Sequence, residues 1–151
     1  MGERDRMKKI LWLDDEPRYA AAQIEYLSFK GYRIDMAKTV GEAEARLNRE
    51  AYDLLILDVA VPVLPEEEDR FPVNRTKNGH ETGFLFYQLW KNDLDKMGTK
   101  VLVVTSLLDY DPGILQLFSN EGLPSEYVVS NYSLRRAEPL LKIVEELTDD
   151  H

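Results

Sequence analysis

The residues of this chain that could most readily do chemistry are three aspartates that follow short apolar runs. Asp14 and Asp15 follow the apolar run 10–13. Asp58 follows the apolar run 54–57. Grouped carboxylates can bind a divalent cation, and one of them can act as a nucleophile towards a phosphoryl group. The alternative interpretation is that each aspartate only ends a strand and begins a loop.

The apolar run 54–57 is predicted to be a β-strand that is buried on both faces. It has four consecutive apolar residues with no polar alternation, as in the strands of a parallel sheet. Pro62 opposes a helix here, because proline blocks helical continuation and pushes Val61 towards an extended conformation. Asp58 is therefore expected where a buried strand ends. In an open α/β sheet, ligands bind at that end of the strands.

The rest of the chain alternates between strand and helix patterns. Strands are predicted over residues 10–13, 32–37, 52–57, 100–106 and 126–130, each followed by a helical pattern. Pro17 suits the first turn of the first helix, which Gly31 would close. Thr39 and Glu42 form a capping box for the second helix. Five strand–helix units predict an α/β fold, a doubly wound parallel sheet with helices on both faces.

Residues 63–79 interrupt this alternation. The segment contains two prolines and the acidic run 66–69, and it is longer than the roughly two to six residues of an ordinary strand–helix loop. We interpret it as a loop insertion within one domain that spans residues 1–151. The acidic run is expected to be a solvated tip. As a lid or docking loop beside the cleft, the segment could bring Arg70, Arg75 or Lys77 to a phosphoryl group.

The composition argues against several classes of function. The 151 residues carry a formal net charge of −9, which disfavours binding to nucleic acid or to an anionic membrane. The absence of cysteine excludes disulfides and thiolate metal sites. No apolar run approaches the roughly 20 residues that span a bilayer, and the charged start does not match a signal peptide. A cytoplasmic location is therefore expected.

The chemistry of the site depends on which strands are neighbours. If the first and third strands are adjacent, Asp14, Asp15 and Asp58 converge, and Thr105 at the end of the fourth strand lines the same cleft. Carboxylates at close range repel one another, and Mg²⁺ would compensate their charge. No glycine-rich loop follows the first strand, which argues against dinucleotide or P-loop binding. The pattern predicts a metal-assisted site in which a carboxylate attacks a phosphoryl group.

Taken together, these residues resemble the receiver domain of two-component response regulators. The resemblance covers residues 8–147 and rests on the segments LDDEP (13–17) and LDVAVP (57–62), on Thr105 and on the aromatic Tyr127. It implies a flavodoxin-like five-stranded parallel sheet of (βα)5 type with strand order 2-1-3-4-5. It also implies a receiver that stands alone, without an output domain.

The resemblance implies a role for each residue of the cleft. Asp58 would accept a phosphoryl group from a histidine kinase, a phosphotransfer protein or a small phosphodonor. The groups that would hold Mg²⁺ are the carboxylates of Asp14, Asp15 and Asp58 and the backbone carbonyl of Ala60. Thr105 would hydrogen-bond the phosphoryl oxygen, and Tyr127 would turn inward as Thr105 moves. The protein would signal by docking an unidentified partner protein, which could be a second copy of the chain. Its enzymatic activity would be limited to phosphorylating and dephosphorylating itself.

The chain departs from the receiver pattern at the end of the fifth strand. Receivers have a lysine there, usually followed by proline, to pair with the phosphoryl group; here Ser130 and Asn131 occupy these positions. The alternative is therefore a pseudo-receiver, a constitutive protein-interaction module without phosphoryl transfer. A haloacid-dehalogenase-type phosphatase fits less well, because it needs an Asp-x-Asp pair after the first strand and Asp14-Asp15 does not supply it.

Overall fold

The computed structural model describes residues 6–16, 20–131 and 137–149. Its strands are β1 Lys9–Leu13, β2 Arg33–Ala37, β3 Leu54–Leu57, β4 Lys100–Thr105 and β5 Val128–Ser130. Its helices are α1 Ala21–Phe29, α2 Val40–Arg49, α3 Val73–Thr76, α4 Thr82–Met97, α5 Gly113–Asn120 and α6 Ala137–Thr148. The prediction that Pro17 begins the first helix falls outside the described residues.

The five strands form one parallel sheet with the order β2-β1-β3-β4-β5, which confirms the predicted topology. Alternate side chains of each central strand enter opposite apolar cores. In β3, Leu55 and Leu57 belong to the core that α2, α4 and α5 cover. Leu54 and Ile56 belong to the core that α1 and α6 cover. Burial on both faces is the physical reason why the strand sequences lack polar alternation.

Local signals set several of the helix ends. Gly31 follows α1 with a φ of +99°, a left-handed conformation that glycine adopts without a steric penalty. At the start of α2, the Thr39 hydroxyl accepts a hydrogen bond of 3.1 Å from the Glu42 amide. The Glu42 carboxylate accepts at 2.7 Å from the Lys38 amide, one residue before the position of a standard capping box. None of the described helices is long and apolar enough to cross a membrane.

The segment 63–79, which we call the insertion, is built into the fold. It contains a 3-10 turn at Pro65–Glu67 and the short helix α3. Phe71 is only 1 % exposed, and its ring stacks on Phe86 of α4 with centroids 6.2 Å apart. The insertion therefore supplies a side chain to the core between α2 and α4.

Polar contacts also fix the insertion against α2. The Glu67 carboxylate accepts 2.8 Å hydrogen bonds from the amides of Gly41, in the first turn of α2, and of Leu64. Arg70 pairs with Glu44 of α2, and the Glu44 carboxylate also accepts from the Trp90 indole at 2.8 Å. The expectation of a solvated acidic tip is wrong for Glu67, which caps a neighbouring helix. The other residues of the acidic run, Glu66, Glu68 and Asp69, are exposed.

Candidate functional site

The register of the sheet brings the three aspartates together. Leu13 of β1 pairs with Leu57 of β3, so that Asp14 and Asp58 follow these strands at the same edge of the sheet. Asp14, Asp15 and Asp58 each offer a carboxylate oxygen, and these atoms all lie within 4.8 Å of one another. The expected convergence is present. The role of each residue as a metal ligand or phosphoacceptor stays a prediction.

Backbone contacts hold Asp58 at the end of β3. Its amide donates to the Leu13 carbonyl at 3.0 Å, and its Oδ1 accepts from the Val59 amide at 2.7 Å. The first turn of α4 packs directly on this loop, where the Gly83 amide donates to the Val59 carbonyl at 2.8 Å.

Only glycine fits at position 83. A Cβ atom there would lie 2.1 Å from the Asp58 carbonyl oxygen, far inside van der Waals contact. Sequence reasoning missed this positioning residue. The available signal was a glycine within an otherwise apolar helical pattern, which often marks a close backbone approach.

Burial makes the acidic cluster unfavourable for negative charge. It is the largest cause of the rise in the pKa of Asp58 from 3.8 to about 7, and the nearby Asp14 carboxylate is the second. The Thr105 hydroxyl and the hydrogen bond from the Val59 amide lower the pKa and so oppose this rise. Burial is also the main reason that the pKa values of Asp14 and Asp15 are raised. A positive charge close to the cluster would therefore stabilise the ionised carboxylates.

Among the described residues, no lysine or arginine forms an ion pair with Asp14, Asp15 or Asp58. Arg70 pairs with Glu44, and Lys77 pairs with Glu81 at 2.9 Å. The insertion thus does not bring Arg70 or Lys77 into contact with the cluster in this conformation. Three converging carboxylates that have no such ion pair provide the hard oxygen ligands that Mg²⁺ requires.

Thr105 lies at the carboxyl end of β4 and is 1 % exposed. Its hydroxyl accepts a 3.2 Å hydrogen bond from the Leu107 amide and lowers the pKa of the nearby Asp58 carboxyl. Tyr127 lies in a 3-10 turn before β5, so the fifth strand begins later than predicted. The Tyr127 side chain is half-buried and packs against both apolar cores. Ala60 is exposed in the loop after β3.

Ser130 is paired with Thr105 in the β4–β5 register. Its hydroxyl donates to the Asp109 carboxylate at 2.9 Å. Asp109 ends the 3-10 turn Ser106–Asp109, which follows β4 directly. Sequence reasoning considered Ser130 only as a substitute for the receiver lysine and missed Asp109, because the two residues are far apart in the chain.

Comparison with solved structures identifies the class of fold. A receiver domain protein from Methanospirillum hungatei is similar with a TM-score of 0.65 and 22% identity, over 95% of each chain. A response regulator from Thermotoga maritima is similar with a TM-score of 0.68 and 19% identity, over 96% of this chain and 100% of that one. The Thermotoga maritima response regulator TrrA, in complex with Mg²⁺ and BeF, has a TM-score of 0.58 and 23% identity, over 93% and 99% of the two chains.

No protein-family model matches the chain, and no curated protein matches it. The structural similarity nevertheless covers nearly the whole of each chain. The protein therefore has the fold of the CheY-like receiver domains of response regulators. Its acidic cluster lies at the carboxyl edge of the sheet.

Proposed function

We propose that this protein is a receiver that accepts a phosphoryl group on Asp58 and signals through phosphorylation-dependent docking of a partner protein. The observation that carries the proposal is the acidic cluster of Asp14, Asp15 and Asp58 at the carboxyl edge of the receiver sheet, next to Thr105. An Asp58 oxygen would attack the phosphorus of the donor and form an acyl phosphate. The bond from phosphorus to the donor breaks, and the donor leaves with its electron pair.

Each residue of the site has a role in this proposal. The Mg²⁺ ligands would be the carboxylates of Asp14, Asp15 and Asp58 and the backbone carbonyl of Ala60. Bound Mg²⁺ would supply positive charge to the phosphoryl oxygens and favour the ionised form of Asp58. The Thr105 hydroxyl would donate to a phosphoryl oxygen. The Mg²⁺ and BeF in the structurally similar TrrA support this assignment. The donor would be a histidine kinase, a phosphotransfer protein or a small acyl phosphate.

Mg²⁺ should stabilise the protein, because the carboxylates of the cluster converge only in the folded chain. At a hundredfold excess over Kd, the free energy of unfolding should rise by about 2.7 kcal/mol. The gain should be larger above pH 7 than at acidic pH, since a proton on Asp58, whose pKa is about 7, competes with the metal. Thermal melts with Mg²⁺ and with EDTA measure it. Equal melting temperatures, with no heat of binding in calorimetry, would contradict the metal site.

The phosphoacceptor assignment is tested by intact mass after incubation with acetyl phosphate and Mg²⁺. The wild type should gain one phosphoryl group, and Asp58→Asn should gain none. Asp69→Asn, which changes an exposed aspartate of the insertion, is the matched control and should be modified like the wild type. If the wild type stays unmodified under conditions where it binds Mg²⁺, the phosphoacceptor proposal is wrong.

A pseudo-receiver is the second candidate function. It is favoured by Ser130 at the end of β5, where receivers have a lysine, and by the lack of an ion pair to Asp58 among the described residues. A pseudo-receiver would bind its partner equally well as wild type and as Asp58→Asn. A receiver would bind its partner differently before and after acetyl phosphate treatment.

A further inference from the structure

The 3-10 turn Ser106–Asp109 is held by a side chain near each of its ends. Near its start, the Thr105 hydroxyl accepts from the Leu107 amide at 3.2 Å. At its end, the Asp109 carboxylate accepts from the Ser130 hydroxyl at 2.9 Å. Both holding residues come from neighbouring, paired positions of β4 and β5. The turn is thus attached to the edge of the sheet that carries the acidic cluster.

The turn is also connected directly to α5. The Asp111 amide donates to the Leu107 carbonyl at 2.8 Å. The Asp111 side chain accepts from the amide of Gly113, the first residue of α5, at 3.1 Å. A displacement of the turn would therefore carry the start of α5 with it.

Thr105 interacts with both Asp58 and the turn. Its oxygen accepts from the Leu107 amide, and its hydroxyl group lies near enough to Asp58 to lower the pKa of that carboxyl. A Thr105 side chain that rotates towards a phosphoryl group on Asp58 would leave the Leu107 amide without this acceptor. The hydrogen bond between Ser130 and Asp109 does not involve Thr105, so it can persist through that rotation.

We propose that Ser130 is a positioning residue that holds the Ser106–Asp109 turn through Asp109 and opposes its displacement when Thr105 turns towards a phosphoryl group. Ser130 then contacts the Ser106–Asp109 turn and does not bind the phosphoryl group. The role of Ser130 in opposing displacement rests on the proposed function of Asp58. Its role in holding the turn of the unmodified protein does not depend on phosphorylation.

Amide hydrogen exchange of the unmodified protein in EDTA tests whether Ser130 holds the turn. Ser130→Ala and Asp109→Ala should each speed exchange of the Leu107, Tyr110 and Asp111 amides by about three- to tenfold, the effect of losing one modest hydrogen bond. The effect of the double variant should be smaller than the two single effects combined, because both single changes remove the shared contact between Ser130 and Asp109. Amides within β4 should be unaffected.

Two further variants separate this role from a general loss of structure. Ser130→Thr keeps the hydroxyl and should restore slow exchange. Ser106→Ala removes an exposed hydroxyl from the same turn and should leave exchange unchanged. Unchanged exchange in Ser130→Ala, or additive effects in the double variant, would overturn the inference whether or not Asp58 is phosphorylated.

A second measurement tests the opposition to switching. In Mg²⁺ and beryllofluoride, the chemical-shift change of the α5 amides should be larger in Ser130→Ala than in the wild type. The Thr105 signal shows whether beryllofluoride has bound. If it has bound and the change is equal in the two proteins, Ser130 does not oppose the displacement of the turn. If it binds to neither protein, the proposed function is contradicted together with this opposing role, and the exchange result remains valid.

Discussion

Asp58→Asn should make the metal-free protein more stable than the wild type at neutral and alkaline pH. The pKa of Asp58 rises from 3.8 to about 7 on folding, mainly because the carboxylate is buried and secondly because Asp14 is near. Each pKa unit corresponds to about 1.36 kcal/mol, so the ionised carboxylate costs up to about 4 kcal/mol of folding free energy. Asparagine has nearly the same shape and removes that charge.

The sign of the effect follows from proton binding. Between the unfolded pKa of 3.8 and the folded pKa of about 7, the folded protein keeps a proton on Asp58 that the unfolded chain has released. The wild type therefore loses stability as the pH rises through this window, and the loss is complete above it. The advantage of Asp58→Asn should be absent at the acidic end, grow through the window and then remain constant.

Denaturant unfolding in EDTA across this pH range measures the difference. Asp69→Asn is the matched control, because it removes an exposed carboxylate of the insertion and should show no such advantage. Saturating Mg²⁺ should reduce the advantage at alkaline pH, since the protein that retains the Asp58 carboxylate binds the metal more tightly and is stabilised more. Parallel pH profiles of the wild type and Asp58→Asn would show that the Asp58 carboxylate is not destabilised by its surroundings.

Phe71→Ala should lower the free energy of unfolding by about 3–5 kcal/mol, the usual cost of removing a buried aromatic ring. Phe71 is 1 % exposed and stacks on Phe86, which in turn stacks on Trp90 at 6.0 Å. Its removal leaves a cavity between α2 and α4. The loss is larger than expected for any change in an ordinary surface loop.

Urea unfolding of Phe71→Ala and Val73→Ala provides the measurement and its control. Val73 belongs to the same insertion but is 46% exposed, so its truncation should change stability by no more than about 0.5 kcal/mol. If Phe71→Ala is as stable as Val73→Ala, the insertion is a loop that the core does not need. Shortening the whole insertion is a poor test of its function, because it would also remove Phe71 from the core and Glu67 from the start of α2.

The sequence alone was sufficient to predict the sheet and the place of the acidic cluster. Unbroken apolar runs such as 54–57 predict strands buried on both faces, because no polar residue can be accommodated there. The alternation of strands and helices then leaves few chain topologies, and all strand ends of a parallel sheet fall at one edge. The convergence of Asp14 and Asp58 also requires that the first and third strands be neighbours, which the resemblance to receiver domains implied and the sheet order confirms.

Only the tertiary structure decided how the insertion is used and what Ser130 contacts. Neither Phe71 nor Glu67 lies in a periodic pattern, and their contacts depend on α4 and α2, which lie outside the insertion. The contact between Asp109 and Ser130 likewise depends on the pairing of β4 with β5. Sequence periodicity reports how each segment meets its own core, but contacts between irregular segments depend on where the whole chain places them.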